Sequence, residues 1–223
     1  MARVVGADVW KKGWIAVVTV DGWIASIDVY DTIDELTSAE VDAEVIAVDI
    51  PIGLPVAPPR AADAAARRFI GARGSSVFPT PPRDVLELGT YKEALRFSRE
   101  RYGVGLTAQS YALRHRILET DAVARSDARV IEIHPEVTFR ALAGRPLAFS
   151  KRTWNGHSER RRLLSGVGLS LPDRLPDAVG AVPAHDILDA AAGVWTASRF
   201  AAGEARTVPD EMPLPGFGEV IWY

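Results

Sequence analysis

Seven side chains in this sequence have the types and settings to do chemistry: Asp8, Asp49, Asp186, Asp189, Glu132, His134 and Glu136. Asp8 comes near the end of the apolar run Val4-Val5-Gly6-Ala7, and Asp49 ends Val45-Ile46-Ala47-Val48 just before Pro51 and Pro55 stop both helix and ladder. A buried strand has little use for a carboxylate. Each Asp is therefore either a turn residue bonding the backbone ahead or a functional group held at a sheet rim, where open α/β sheets place their ligands. Asp186 and Asp189, three apart in a helical stretch, share a face, although a capping role at the helix start would explain them as well. Glu132 and His134 alternate with Ile131 and Ile133, and Glu136 follows Pro135 at the start of a helix. A structural imidazole and a helix-start carboxylate account for those residues as readily as ligation does. Carboxylates are hard oxygen donors suited to Mg²⁺ or Mn²⁺, and a site for such ions needs several of them converging from different elements.

The elements that must position these groups follow from the hydrophobic pattern. Residues 3–10, 14–18 and 23–30 read as three antiparallel strands, the last two joined by Asp21-Gly22, a favoured two-residue hairpin turn. Residues 31–40 suit a short crossover helix, and residues 45–49 form the near-continuous apolar run of a parallel strand. An Ala-rich helix over 60–70 gives way to residues 71–83, too rich in Gly and Pro for either regular element. A loop of this length is a connector or a functional lid, in which Arg73, Ser75, Ser76 and Arg83 would hold phosphate and Phe78 would stack on a base. Helices are predicted over 91–101 and 107–123, a strand over 129–134, and a helix over 158–164 whose Glu159-Arg160-Arg161-Arg162 run reads as a solvated face. The last long helix is predicted from about residue 185 to 202. Gly193, on the same face as the two Asp residues, would let that helix approach a sheet closely. Residues 217–223 end the chain as a short strand or tail. The expectation is one domain over 1–223 with a helical insertion at about 56–128.

Composition narrows the classes. With 223 residues, 48% of them hydrophobic, the chain can bury an ample core without a staple, and its lack of cysteine excludes disulfides and thiolate zinc sites. No basic segment leads into an apolar one at the amino terminus, and no run is long and apolar enough for a membrane span, so a soluble, cytoplasmic protein is expected. The net charge of −3 argues against coating nucleic acid through bulk positive charge. A local basic surface remains open, since 22 of the 26 basic residues are arginine, whose planar fork suits phosphate.

An antiparallel three-strand start, a crossover helix, a parallel strand and a late helix with paired Asp residues together resemble the ribonuclease H-like fold. That fold implies a mixed α/β sheet with helices on both faces, its first strand central, and carboxylates from strand one, strand four and the last helix converging. The segment Asp186-Ile187-Leu188-Asp189-Ala190-Ala191-Ala192 is also similar to the corresponding helix of RuvC-type resolvases. More closely, Gly6-Ala7-Asp8, Asp49-Ile50-Pro51-Ile52-Gly53-Leu54, Arg73-Gly74-Ser75-Ser76-Val77-Phe78-Pro79, Glu132-Ile133-His134-Pro135-Glu136 and Asp186-Ile187-Leu188-Asp189-Ala190 resemble the predicted ribonuclease H-like nucleases of domain-of-unknown-function family 429. Two positions depart from that pattern: Val9-Trp10 stands where a Gly-Cys pair is common, and His185 where a further Asp often stands. The resemblance implies a nuclease that hydrolyses phosphodiester bonds of nucleic acid with two Mg²⁺ or Mn²⁺ ions. Asp8 would bridge the ions, Asp49 and Asp189 would each bind one, Asp186 would assist, and Glu132, His134 and Glu136 would complete the site or position water. A small-molecule phosphohydrolase or phosphotransferase, and a binding domain without turnover, are the alternatives.

Overall fold

The computed structural model describes residues 2–11, 13–210 and 219–223. In chain order the elements are β1 (Arg3–Trp10), β2 (Gly13–Val20), β3 (Trp23–Tyr30), α1 (Ile33–Ala39), β4 (Val45–Val48), α2 (Ala61–Ile70), α3 (Arg83–Leu86), α4 (Tyr91–Tyr102), α5 (Ala108–Ala112), α6 (Arg114–Ala124), β5 (Val130–Glu132), α7 (Pro135–Ala143), α8 (Trp154–Gly166), α9 (Ala184–Ala201), β6 (Thr207–Val208) and β7 (Ile221–Trp222). The main sheet has the order β3-β2-β1-β4-β5, antiparallel from β3 to β1 and parallel from β1 to β5. The β2–β3 turn is made by Asp21 and Gly22, with φ of 50° and 83°, which gives the chain the twist that a two-residue hairpin requires.

Strand alternation sorts the sheet's side chains into two cores. Val4, Ile15, Val17, Val45, Ala47, Ile131 and Ile133 pack on one face with residues of α7, α8 and α9. Val5, Ala7, Trp14, Ala16, Val18, Ile46, Val48 and Val130 pack on the other, with α1 and α6. Because side chains alternate, Asp8 and Asp49 fall on the α9 face while Glu132, in phase with Val130, falls on the opposite one.

One contact sets the depth of α9. A Cβ on Gly6 would lie 2.1 Å from the Ala190 carbonyl oxygen, and one on Gly193 would lie 2.9 Å from the Gly6 Cα, so helix and strand meet backbone to backbone. From that contact, two residues along β1 lead to Asp8, a step of about 6.6 Å. Four residues back along α9 lead to Asp189, a step of about 6 Å. The two rises match, and the carboxylates are brought face to face.

Several local expectations are corrected. Residues Gly71–Ser76 are a 3₁₀ helix, whose Val77 N–H closes on the Gly74 carbonyl, where the Gly content suggested irregular chain. The single helix expected over 107–123 is two, α5 and α6, which meet at Leu113. Helix α8 starts at Trp154 because Thr153 caps it, its side chain accepting from the Gly156 N–H. In the tail, Ile221–Trp222 pairs with β6, while Phe217 and Gly218 lie outside the described residues. Among the described residues no helix is long and apolar enough to cross a membrane.

Candidate metal centre

Carboxylate oxygens of Asp8, Asp186 and Asp189 all lie within 4.8 Å of one another. Asp189 is 1% exposed and Asp8 7%. Neither helical Asp caps its helix: the N-cap of α9 is Pro183 and no side chain bonds the first-turn N–H groups. Asp8 sits within β1 opposite Ile15, and one of its oxygens accepts from the Val9 N–H at 2.7 Å. Asp49 extends the parallel ladder, its N–H donating to the Ala7 carbonyl at 3.0 Å. It lies outside the close trio but lines the same cleft as Asp8 and Asp186.

The electrostatics mark these groups as a unit. Burial, then the neighbouring Asp49 and Asp189 charges, push the Asp8 carboxyl well above the ordinary range. Burial and Asp189 push Asp49 up to about 8. Asp186 and Asp189 are raised chiefly by burial. Among the described residues one ammonium enters the cluster, Lys151, which donates to Asp189 Oδ2, and the His185 ring lies beside Asp186, its Nε2 at 3.2 Å from Oδ1. Burial works against the Lys151 charge, but Asp189, Asp8 and Asp49 hold its ammonium above the usual lysine range. Asp189 Oδ1 is buried and has no hydrogen-bond partner among the described residues. An all-oxygen donor set with an unpartnered buried carboxylate oxygen fits a hard divalent cation such as Mg²⁺ or Mn²⁺.

The remaining sequence candidates divide into those in the cleft and those spent elsewhere. The cleft has a volume of about 590 Å³ and is lined by Arg73, Ser75 and Ser76 from the 3₁₀ segment and Phe78 just after it, by Glu132, His134 and Glu136, and by Ser150, Lys151 and Arg152. Arg73 is partly engaged, its Nε donating to the Leu147 carbonyl at 3.1 Å. Arg83 does not line the cleft; it pairs with Asp121, which also accepts from the Gly53 N–H at 2.8 Å. His134 caps α7 through Nδ1, and burial together with the Lys151 charge lowers it to about 4, so the ring is neutral at pH 7.

Glu132 and Glu136 each have a buried guanidinium as partner. Glu132 accepts from Arg60 through both oxygens and from the Ile52 N–H. Burial pushes its carboxyl up to about 7 against the pull of Arg60. Arg60 also bonds Asp63 and the carbonyls of Ile52 and Gly53, which fixes the Pro-rich chain that follows Asp49. Glu136 pairs with Arg160 at 2.5 Å. Arg160 is fully buried, which corrects the reading of residues 159–162 as a solvated face: the run faces both solvent and core, with Glu159 also buried.

Sequence reasoning missed Lys151, Arg60 and Arg160. Lys151 lies in an aperiodic stretch, and its signal was its rarity, because it is one of only four lysines in a chain that otherwise uses arginine. Nothing in an Ala-rich helix start singled out Arg60.

A mixed α/β sheet carrying an acidic cluster able to hold metal at the ends of its central strands defines the class of protein. Residues 6–213 match the family described as protein of unknown function (DUF429), and the chain belongs to that family. No curated protein and no solved structure matches.

Proposed function

We propose that this protein is a divalent-metal-dependent phosphodiester hydrolase of ribonuclease H-like type, acting on nucleic acid. The observation that carries the reading is the convergence of Asp8, Asp186 and Asp189, from a central strand and the last helix, with Asp49 beside them. Their oxygens would hold the ion, which would supply charge stabilisation at the phosphate and an activated water. Arg73 and the Ser75 and Ser76 hydroxyls, across the cleft, are suited to phosphate oxygens, and Phe78 offers a ring beside them. Asp49 and Lys151 complete the charge balance around the reacting phosphate. The expectation of local basic compensation now rests on Arg73, Lys151 and Arg152, because Arg83 and Arg160 are committed to Asp121 and Glu136.

The cleft volume of about 590 Å³ supports a second reading, a small phosphate ester as substrate, since pockets of that size hold single small ligands. Incubating the chain with Mn²⁺ or Mg²⁺ and, in parallel, DNA and RNA oligonucleotides and mononucleotides separates the two. The nuclease reading expects oligonucleotide cleavage that chelator stops and that Asp8→Asn reduces by at least about 10³-fold. Turnover of mononucleotides alone would select the second reading, and turnover of neither class would sink both.

A further inference from the structure

We propose that the ammonium of Lys151 takes one of the two cation positions at the carboxylate cluster, so that the site holds a single divalent ion beside a built-in positive charge. The inference rests on the metal-site reading above and goes beyond it, because the resemblance implies two ions.

The turn that carries Lys151 is held in place. The Phe149 carbonyl accepts from Arg160 at 3.2 Å, and the Ser150 carbonyl accepts from the Thr153 N–H at 2.9 Å and its hydroxyl at 2.8 Å. Gly156 presses on the same carbonyl so closely that a Cβ there would lie 1.9 Å from it. The backbone just before Lys151 is thus clamped to the start of α8, and the side chain runs from there to Asp189. The side chain is about a third exposed while its nitrogen reaches a carboxylate that is 1% exposed.

The two oxygens of Asp189 are then divided. Oδ2 accepts from Lys151, and Oδ1 is left buried and unpartnered among the described residues. Asp189 could share one ion with Asp8 and Asp186, since each of the three has a carboxylate oxygen within 4.8 Å of the others', and Oδ1 is the Asp189 oxygen left without a partner. A second ion would need Asp189 Oδ2 or the space in front of Asp49, and the ammonium already bonds the first and lines the same cleft as the second. A point-like ammonium has three donors, so beyond its bond to Asp189 Lys151 can also donate to a substrate phosphate oxygen, as a second ion would attract it.

Counting bound Mn²⁺ per chain by equilibrium dialysis tests this on the full-length protein without reference to activity. The expectation is one ion for wild type, one for Lys151→Arg, which keeps the charge, and two for Lys151→Met, which keeps the stem and loses it. Two ions in wild type would overturn the inference and leave the metal-dependent reading standing. One ion in a folded Lys151→Met would overturn it as well, by showing that the ammonium does not exclude the second. No ion in wild type would overturn both.

Discussion

Two buried acidic clusters lie at the ends of neighbouring parallel strands, and they are built on opposite principles. Around Glu132, at the end of β5, Arg60 reaches Glu132, Asp63 and two backbone carbonyls, while Thr80 donates to Asp63 through both its N–H, at 2.6 Å, and its hydroxyl. Around Asp8 and Asp49, at the ends of β1 and β4, four carboxylates share one ammonium and the ring of His185 among the described residues, and a buried Asp189 oxygen has no donor among them. Burial is comparable, with Glu132 at 6% and Asp8 at 7%, so burial does not distinguish them. What differs is the supply of partners. A cluster that satisfies its own acids has a structural role, whereas one short of positive charge is kept for something the chain does not itself provide.

The largest way to break this contrast is Arg60→Ala. Removing the cation from a closed network leaves Glu132 and Asp63 buried without their partner, at a cost of roughly 3–5 kcal/mol. For a chain of this length the melting temperature should fall by about 10 °C. Mg²⁺ should not restore it, because none of the three closely grouped Asp residues has lost a partner. A fall that Mg²⁺ reverses would merge the two clusters into one.

Asp8→Asn probes the other side. Removing a charge from a cluster already short of cations relieves repulsion, so in chelator the variant should melt at or above the wild-type temperature. Metal at about 100 times its dissociation constant should stabilise wild type by about 2.7 kcal/mol, and the variant should lose most of that gain. Thermal melts with chelator and with Mn²⁺ decide it. An Asp8→Asn protein that melts lower in chelator yet gains as much from metal would make Asp8 a structural residue.

A smaller and more graded effect is expected from pH. The folded-state value of Asp49 is raised from 3.8 to about 8, and Asp8 and Asp189 are raised with it. Between about pH 4 and 8 the folded chain therefore binds more protons than the unfolded one, and metal-free stability falls as pH rises through that interval. His134, lowered from 6.5 to about 4, acts in the opposite sense and costs stability as pH falls through that interval. Saturating metal should reverse the carboxylate trend, since an ion takes the deprotonated form. Melts across this range in chelator that show no such decline would mean that the carboxylates do not act as a unit.

Much of the site was legible because its geometry follows from local periodicity. Asp8 and Asp49 announced themselves as carboxylates closing apolar strands, and Asp186, Asp189 and Gly193 as one face of a helix with a smooth patch for packing. The face on which each acid would fall was harder to see. Glu132 stood beside His134 in a suggestive strand, yet one step of alternation sends it to the other core, where a residue 72 positions away meets it. Arg83 and Arg160 read as free positive charge because their partners, Asp121 and Glu136, are distant in sequence. Long-range pairing between charges leaves no periodic trace, so the division of the acids into a closed and an open cluster required the fold.

The way α9 begins has a consequence for how an ion would leave. Asp189 lies where the helix is pressed backbone to backbone on β1, and that contact separates only when the helix lifts off the sheet. Asp186 lies in the first turn, behind a Pro183 N-cap that offers no side-chain bond to the free N–H groups. Helix ends open at far lower free energy than the centre of a sheet. The ligands would therefore let go in a fixed order, Asp186 first through fraying of one helical turn, with Asp8 and Asp189 holding on. The residence time of an ion held there would then be governed by the weakest turn of the helix rather than by the strength of the deepest carboxylate.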